Sequence, residues 1–133
     1  MERLAEDNYV QIAENAIKEL VAPARRDKNG NPVGIVTTSK IRNLLAMTAS
    51  IYNEVIVYQQ DKLSPEIVGR INYLKIRFVY EAGREPKVRD LITKANLLNY
   101  ISQIGDSRQR YILFSRNMEA LVAYRKFYGG KDE

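Results

Sequence analysis

Between residues 67 and 82 the apolar side chains Ile67, Ile71, Leu74, Phe78 and Ala82 recur at spacings of four, three, four and four. At about 100° per residue they share one face of an α-helix, whereas a strand, with its period of two, would split them between its faces. A stripe of this kind has to be covered by other apolar stripes, so it commits the chain to a helix-packed core.

The same reading extends along the chain. Tyr9, Ile12, Ala13, Ala16, Ile17 and Leu20 define a first amphipathic helix, with Asp7 or Asn8 available as its cap. Thr37, Thr38 or Ser39 can cap a second helix running to about Gln60, whose core stripe is Ile41, Leu44, Leu45, Thr48, Ile51, Tyr52 and Val55. Its reverse carries Arg42, Asn43, Ala46, Ala49, Ser50 and Asn53, which is small and nearly uncharged past the first turn. That face suits either a second buried contact within the bundle or a partner subunit. Ser64-Pro65-Glu66 opens the third helix with a capping serine and a proline at the first helical position; Ala82 and Gly83 mark its expected end. Pro86 begins a fourth that stops before Gly105. Asp106, with Gln109 three residues on, is the expected cap of a fifth reaching Tyr128, ended by Gly129-Gly130.

The fold class expected is therefore all-α, a compact bundle of about five helices in one domain over residues 1–133. Residues 22–37, with two prolines, two glycines and a basic cluster, are expected to form a long, mobile connector. Asp27, Asn29 and Asn31 there imitate the start of a calcium loop. Pro32 stands where that loop needs glycine, and Thr38 where it needs a bidentate glutamate, so no metal site is expected. No sequence period of 20–50 residues indicates a solenoid.

Composition narrows function by exclusion. Among 133 residues there is no Cys and no His, which removes disulfides, imidazole acid–base chemistry, Cys–His and Ser–His nucleophiles and the usual zinc and di-iron ligand sets. The carboxylates Glu54 and Asp61, seven apart, form no metal motif and have no acid–base partner, so no enzyme is read here, and no cofactor or small-molecule substrate. No window approaches eighteen apolar residues and MERLAEDNYV lacks an apolar signal region, so a soluble, cytoplasmic protein without a membrane partner is expected.

Charge points toward a partner. Residues 1–66 carry 8 basic and 9 acidic side chains, net −1, while residues 67–133 carry 13 and 7, net +6. Within the third helix Arg70, Arg77 and Arg84 repeat every seven residues, with Tyr73 and Tyr80 between them, on the side away from the core stripe. At 1.5 Å rise per residue the arginines span about 21 Å, the length of several nucleotides. Arginine binds phosphate oxygens through a planar fork and remains charged, and tyrosine can stack or donate, so the stripe fits an RNA backbone. Tyr73 and Tyr80 packing on another helix, with snorkelling arginines, is the structural alternative. The fifth helix is apolar nearly all round and is expected at the centre of the bundle.

The segments TTSKIRNLL (37–45), INYLKIRFVYEAGR (71–84), IGDSR (104–108) and MEALVAYRKFYGGKD (118–132) resemble the small subunit of type III-A CRISPR effector complexes. The likeness runs from about residue 37 to the C-terminus and includes the first helix; nothing is carried over to the connector. It implies a non-catalytic helical subunit that stacks in several copies beside the backbone subunits, with guide RNA and target RNA, the backbone and polymerase-like large subunits, and copies of itself as partners. Resemblance and chemistry together place the RNA-facing surface on Lys40, Arg42, Arg70, Lys75, Arg77, Tyr80 and Arg84, joined by Arg108, Arg116 and Lys126; Lys75 falls near the core edge. Base specificity is not expected, because guide pairing reads sequence. The competing reading is a helical adaptor whose Arg–Tyr stripe meets protein.

Overall fold

A computed structural model describes residues 3–22, 26, 28–30 and 34–129. Six α-helices make up the fold, α1 Tyr9–Val21, α2 Thr38–Val57, α3 Pro65–Arg84, α4 Pro86–Lys94, α5 Leu97–Ile104 and α6 Arg108–Phe127, with no strand among the described residues. The all-α expectation holds, with one helix more than the sequence pattern implied.

Local signals set most of the boundaries. The Ser64 hydroxyl accepts from the Ile67 amide at 3.3 Å, and Pro65 occupies the first turn of α3. The helix does not stop at Gly83: it runs through Arg84, and Glu85 turns extended at φ −132°, ψ 118°. Pro86 enforces that change, since its ring disfavours helical backbone in the residue before it. Thr37 caps α2, accepting from the Lys40 amide at 3.3 Å, and α2 ends at Val57 rather than Gln60.

The extra helix comes from Asn96. It sits at φ 58°, ψ 34°, a left-handed conformation that asparagine tolerates better than most residues, and it divides the expected fourth helix into α4 and α5. Redirecting the chain there lets Val88, Leu91 and Ile92 on α4, and Leu97, Tyr100, Ile101 and Ile104 on α5, all reach the core. A second correction falls at α6. Ser107, not Asp106, is its cap, its hydroxyl accepting from the Arg110 amide at 3.2 Å. The Asp106 carbonyl instead accepts from the Leu63 amide at 2.7 Å, and the Arg108 amide donates to Asp61 at 3.0 Å, clasping the α2–α3 link to the start of α6.

The core lies where α6 meets its neighbours. It packs on α1, α2 and α5, and its Phe114 ring meets Phe78 of α3 at 6.2 Å. Tyr111, Ile112, Leu113, Phe114, Met118 and Leu121 are buried on it, which confirms the central position expected. Each side chain of this size stabilises by about 1.5–3 kcal/mol through burial. Three polar side chains buried on α6 donate to backbone carbonyls. The Tyr111 hydroxyl donates to the Thr48 carbonyl at 2.7 Å, and Asn117 Nδ2 to the Tyr9 carbonyl at 3.1 Å. Arg125 Nε donates to the Val36 carbonyl at 2.8 Å. Burial pushes the Tyr111 phenol above its ordinary range and the Arg125 guanidinium below.

Val36, inside the expected connector, is thus buried and tied to α6. Much of the remaining connector, with Asp27 and Asn31 of the calcium-loop imitation, lies outside the described residues.

Candidate nucleic-acid interface

Helices α2 and α3 run antiparallel. Lys40 in the first turn of α2 reaches Glu85 just beyond α3, at 2.7 Å, while Glu54 near the end of α2 pairs with Arg70 in the second turn of α3. This pairing places Lys40, Arg70, Arg77, Tyr80 and Arg84 along one edge of the hairpin. Between the helices runs an open groove of about 430 Å³, lined by Met47, Ser50, Glu66, Gly69, Arg70, Tyr73 and Arg77 among others.

The cations on this edge differ in commitment. Arg70 bonds Glu54 and also donates to the Ser50 hydroxyl at 3.2 Å. Arg84 lies 3.5 Å from Glu85 and 3.9 Å from Glu81. The Glu81 charge, with hydrogen bonds to Tyr80 and Glu85, holds the Arg84 guanidinium above its ordinary range. The hydrogen bond from Lys40 draws the Glu85 carboxyl below the usual carboxylate value. All of these groups are solvent-screened, so the pairs add little to stability. Arg77 is exposed and makes no salt bridge among the described residues. Along α3 itself the first acid after Arg70 is Glu81, so sequence alone gave no sign of Glu54 crossing from α2 to neutralise Arg70.

The other candidates lie elsewhere. Arg42 is exposed on the outer side of α2, 3.4 Å from the Ser39 hydroxyl. Lys75 is half-buried and donates to Ser102 of α5 at 2.6 Å, on the flank away from α2. Arg108 donates to the carbonyls of Val55 and Ile56 at 3.1 and 2.8 Å, satisfying the free C-terminal end of α2. Arg116 sits 3.6 Å from Glu6, and Lys126 is exposed in the last turn of α6, next to Arg125. The ten residues therefore do not form one cluster. Five share the α2–α3 edge.

Both tyrosines of the stripe are open to solvent, each 59% exposed, which overturns their packing on another helix. Sequence reasoning passed over their neighbours Ile76 and Val79, exposed at 61% and 50%. The signal was present: Ile76 falls opposite the core stripe at ~100° per residue. The small face of α2 is also uncovered, with Arg42, Asn43, Ala46, Ser50 and Asn53 exposed and Ala49 half-buried, so it is no second buried face.

Among the described residues, no group of three or more metal-binding side chains could hold a metal ion, and no helix is long and apolar enough to cross a membrane. Comparison with known proteins adds the lineage. A family model for Csm2 of type III-A systems matches residues 14–131. A Streptococcus thermophilus protein named CRISPR system Cms protein Csm2 is 44% identical over 129 residues, 97% of this chain and 98% of its own length. A protein of the same name from Mycobacterium tuberculosis H37Rv is 36% identical over 128 residues, covering 96% and 97%. One from Enterococcus italicus is 37% identical over 99 residues, covering 70% and 68%. With the helical fold expected of that lineage and agreement over nearly its whole length, the chain belongs to the Csm2 family, the small subunits of type III-A CRISPR complexes.

Proposed function

We propose that this chain is a non-catalytic small subunit of a cytoplasmic type III-A effector complex. It stacks in several copies beside the backbone and large subunits and holds the guide–target RNA without reading its sequence. The α2–α3 edge carries the contact, with Arg77, Arg84, Lys40 and Arg70 toward phosphates and Tyr80 beside them. The observation that supports this most is Arg77, an exposed guanidinium with no salt bridge among the described residues, midway along a basic edge and beside an open groove. A fork of donors in that setting suits a phosphate and lacks the rigid pocket needed to select a base.

The test is fluorescence anisotropy of the isolated chain on labelled single-stranded RNA across a salt series. With about three phosphates engaged and ~0.7 per contact, log affinity against log salt should slope near −2. Replacing Arg77→Ala and Arg84→Ala together should flatten that slope by about 1.4. Each substitution should change stability by less than about 0.5 kcal/mol, since both side chains are exposed. A slope near zero for the unaltered chain, or strong preference for one sequence, would sink the RNA reading.

A further inference from the structure

The corner between α3 and α4 carries a cation that the basic edge has not yet claimed. Glu85 turns the chain there, and Arg89 Nε donates back to the Ala82 carbonyl at 3.2 Å, fastening the start of α4 to the end of α3. Lys40 and Arg84 meet at this corner through Glu85, at 2.7 and 3.5 Å. Two residues beyond Glu85 stands Lys87, exposed in the first turn of α4. Among the described residues it makes no salt bridge with Glu81, with Glu85 or with Asp90, one turn along its own helix.

Stability does not account for a lysine at that position. The first turn of a helix is the positive end of its macrodipole, where a carboxylate is favoured and a cation opposed. α4 has no acid in that turn, and its second residue is Lys87. The surroundings nevertheless make room for it. A Cβ on Gly34, in the segment before α2, would fall 2.6 Å from Lys87 Cε, 3.4 Å from Nζ and 3.5 Å from Cδ. The lysine stem therefore runs along the bare backbone of Gly34. Gly34 has no positive φ, so what suits glycine there is the space the stem takes, not the backbone conformation. The stem is seated, and the ammonium with its three donors is left without an acid.

We propose that Lys87, its stem seated on Gly34, is a further phosphate-binding residue that carries the RNA track of the α2–α3 edge around the corner onto α4. This rests on the reading of that edge as the RNA contact and extends it by a cation outside the arginine repeat. Lys40 and Arg84 share the carboxylate of Glu85, so a phosphate approaching them competes with an acid already in place. Lys87 offers a point charge with no such competitor, a common way for proteins to hold phosphate. A stem already laid against Gly34 loses less freedom on binding than a lysine free in solvent. Arg77, Arg84, Lys40 and Lys87 follow one another from the middle of α3 to the corner. A line of cations of that kind suits a chain of phosphates better than a single anion.

Anisotropy of the full chain on a labelled polyuridine oligomer, across a salt series, tests this. Lys87→Ala should weaken binding and lower the salt slope by ~0.7, the value of one phosphate contact on a single strand. Its deficit against the unaltered chain should therefore shrink about 2.6-fold for a fourfold rise in salt. Its melting temperature should be unchanged or slightly raised, since an exposed cation leaves the positive end of a helix. Lys87→Arg should keep the slope. Gly34→Ala retains every charge but displaces the stem, so it should weaken binding in the unaltered chain and add nothing to Lys87→Ala. Unchanged affinity and slope in Lys87→Ala, beside a loss in Arg77→Ala, would overturn the role of Lys87 and leave the RNA edge standing. Additive losses from Gly34→Ala and Lys87→Ala would overturn the seating of one on the other. Normal RNA binding by Lys87→Ala with failed assembly on co-expression with the other subunits would make Lys87 a contact for an acidic protein surface, and overturn the phosphate assignment. Salt-independent binding by the unaltered chain would remove the RNA reading itself, and the role of Lys87 with it.

Discussion

Helices α3 and α6 are each 20 residues long and touch through Phe78 and Phe114, yet they obey different rules. α3 lies at the surface and buries one stripe of five apolar residues. α6 has neighbours on most sides and buries nine, including Ser115, Asn117 and Arg125. A surface helix can leave its polar side chains in water, so its pattern stays clean. A central helix has to seek partners for its polar groups inside the protein, and Asn117 and Arg125 donate to carbonyls of distant segments, Tyr9 and Val36. The basic edge can sit on α3 because half of that helix is not needed by the core.

The largest effect that would break this contrast lies where the helices meet. Phe78→Ala and Phe114→Ala should each cost about 3–5 kcal/mol in urea unfolding, because both rings are fully buried. The double substitution should fall short of the sum by ~0.5–1.5 kcal/mol, the coupling of an aromatic pair. Strict additivity would mean that the two helices do not share one core.

Next in size is Arg125, the polar group that a clean helical pattern would place in water. Arg125→Ala should destabilise by about 1–3 kcal/mol, as the Val36 carbonyl loses its donor in a buried site. Exposed Arg77→Ala in the same assay is the contrasting case and should be nearly silent. Equal losses at the two positions would erase the distinction between central and surface helix.

The smallest effect is at Glu85, whose carboxyl is held below its ordinary value chiefly by Lys40. A depressed carboxylate contributes stability above its unfolded pKa and loses it as pH falls through the folded value. The unaltered chain and Glu85→Gln should therefore differ slightly in melting temperature near neutrality and converge in acid, below the usual carboxylate range. At neutral pH the same variant should bind RNA more tightly, because Lys40 and Arg84 are released and one negative charge leaves the basic edge. Divergence of the melting curves in acid would show that Glu85 is not the group responsible.

How much was legible follows the same division. The α3 core stripe and its capping serine could be read residue by residue, because they depend on spacing and on neighbours within one turn. The Asn96 break could not, since both pieces continue a helical apolar pattern and only the need of α4 and α5 to reach the core at different angles separates them. Ser107 displaced Asp106 as a cap because the Asp106 backbone was claimed by Leu63, 43 positions earlier in the chain. For the site, sequence picked out the arginine repeat, set Lys75 near the core edge and added Arg108, Arg116 and Lys126 from the last helix. Five share an edge, while Arg108 ties down α2 and Lys75 reaches α5.

By itself the sequence determined the helical class, the core faces of α1, α2 and α3, the absence of imidazole and thiol chemistry and the place of the positive charge. All of these follow from residue type and local period. Tertiary structure decided which cations keep a free charge and which apolar residues stay in water. Those properties depend on what each side chain meets from segments far away in sequence. Glu54 against Arg70 and open space beside Gly69 cannot be inferred from a helix considered alone.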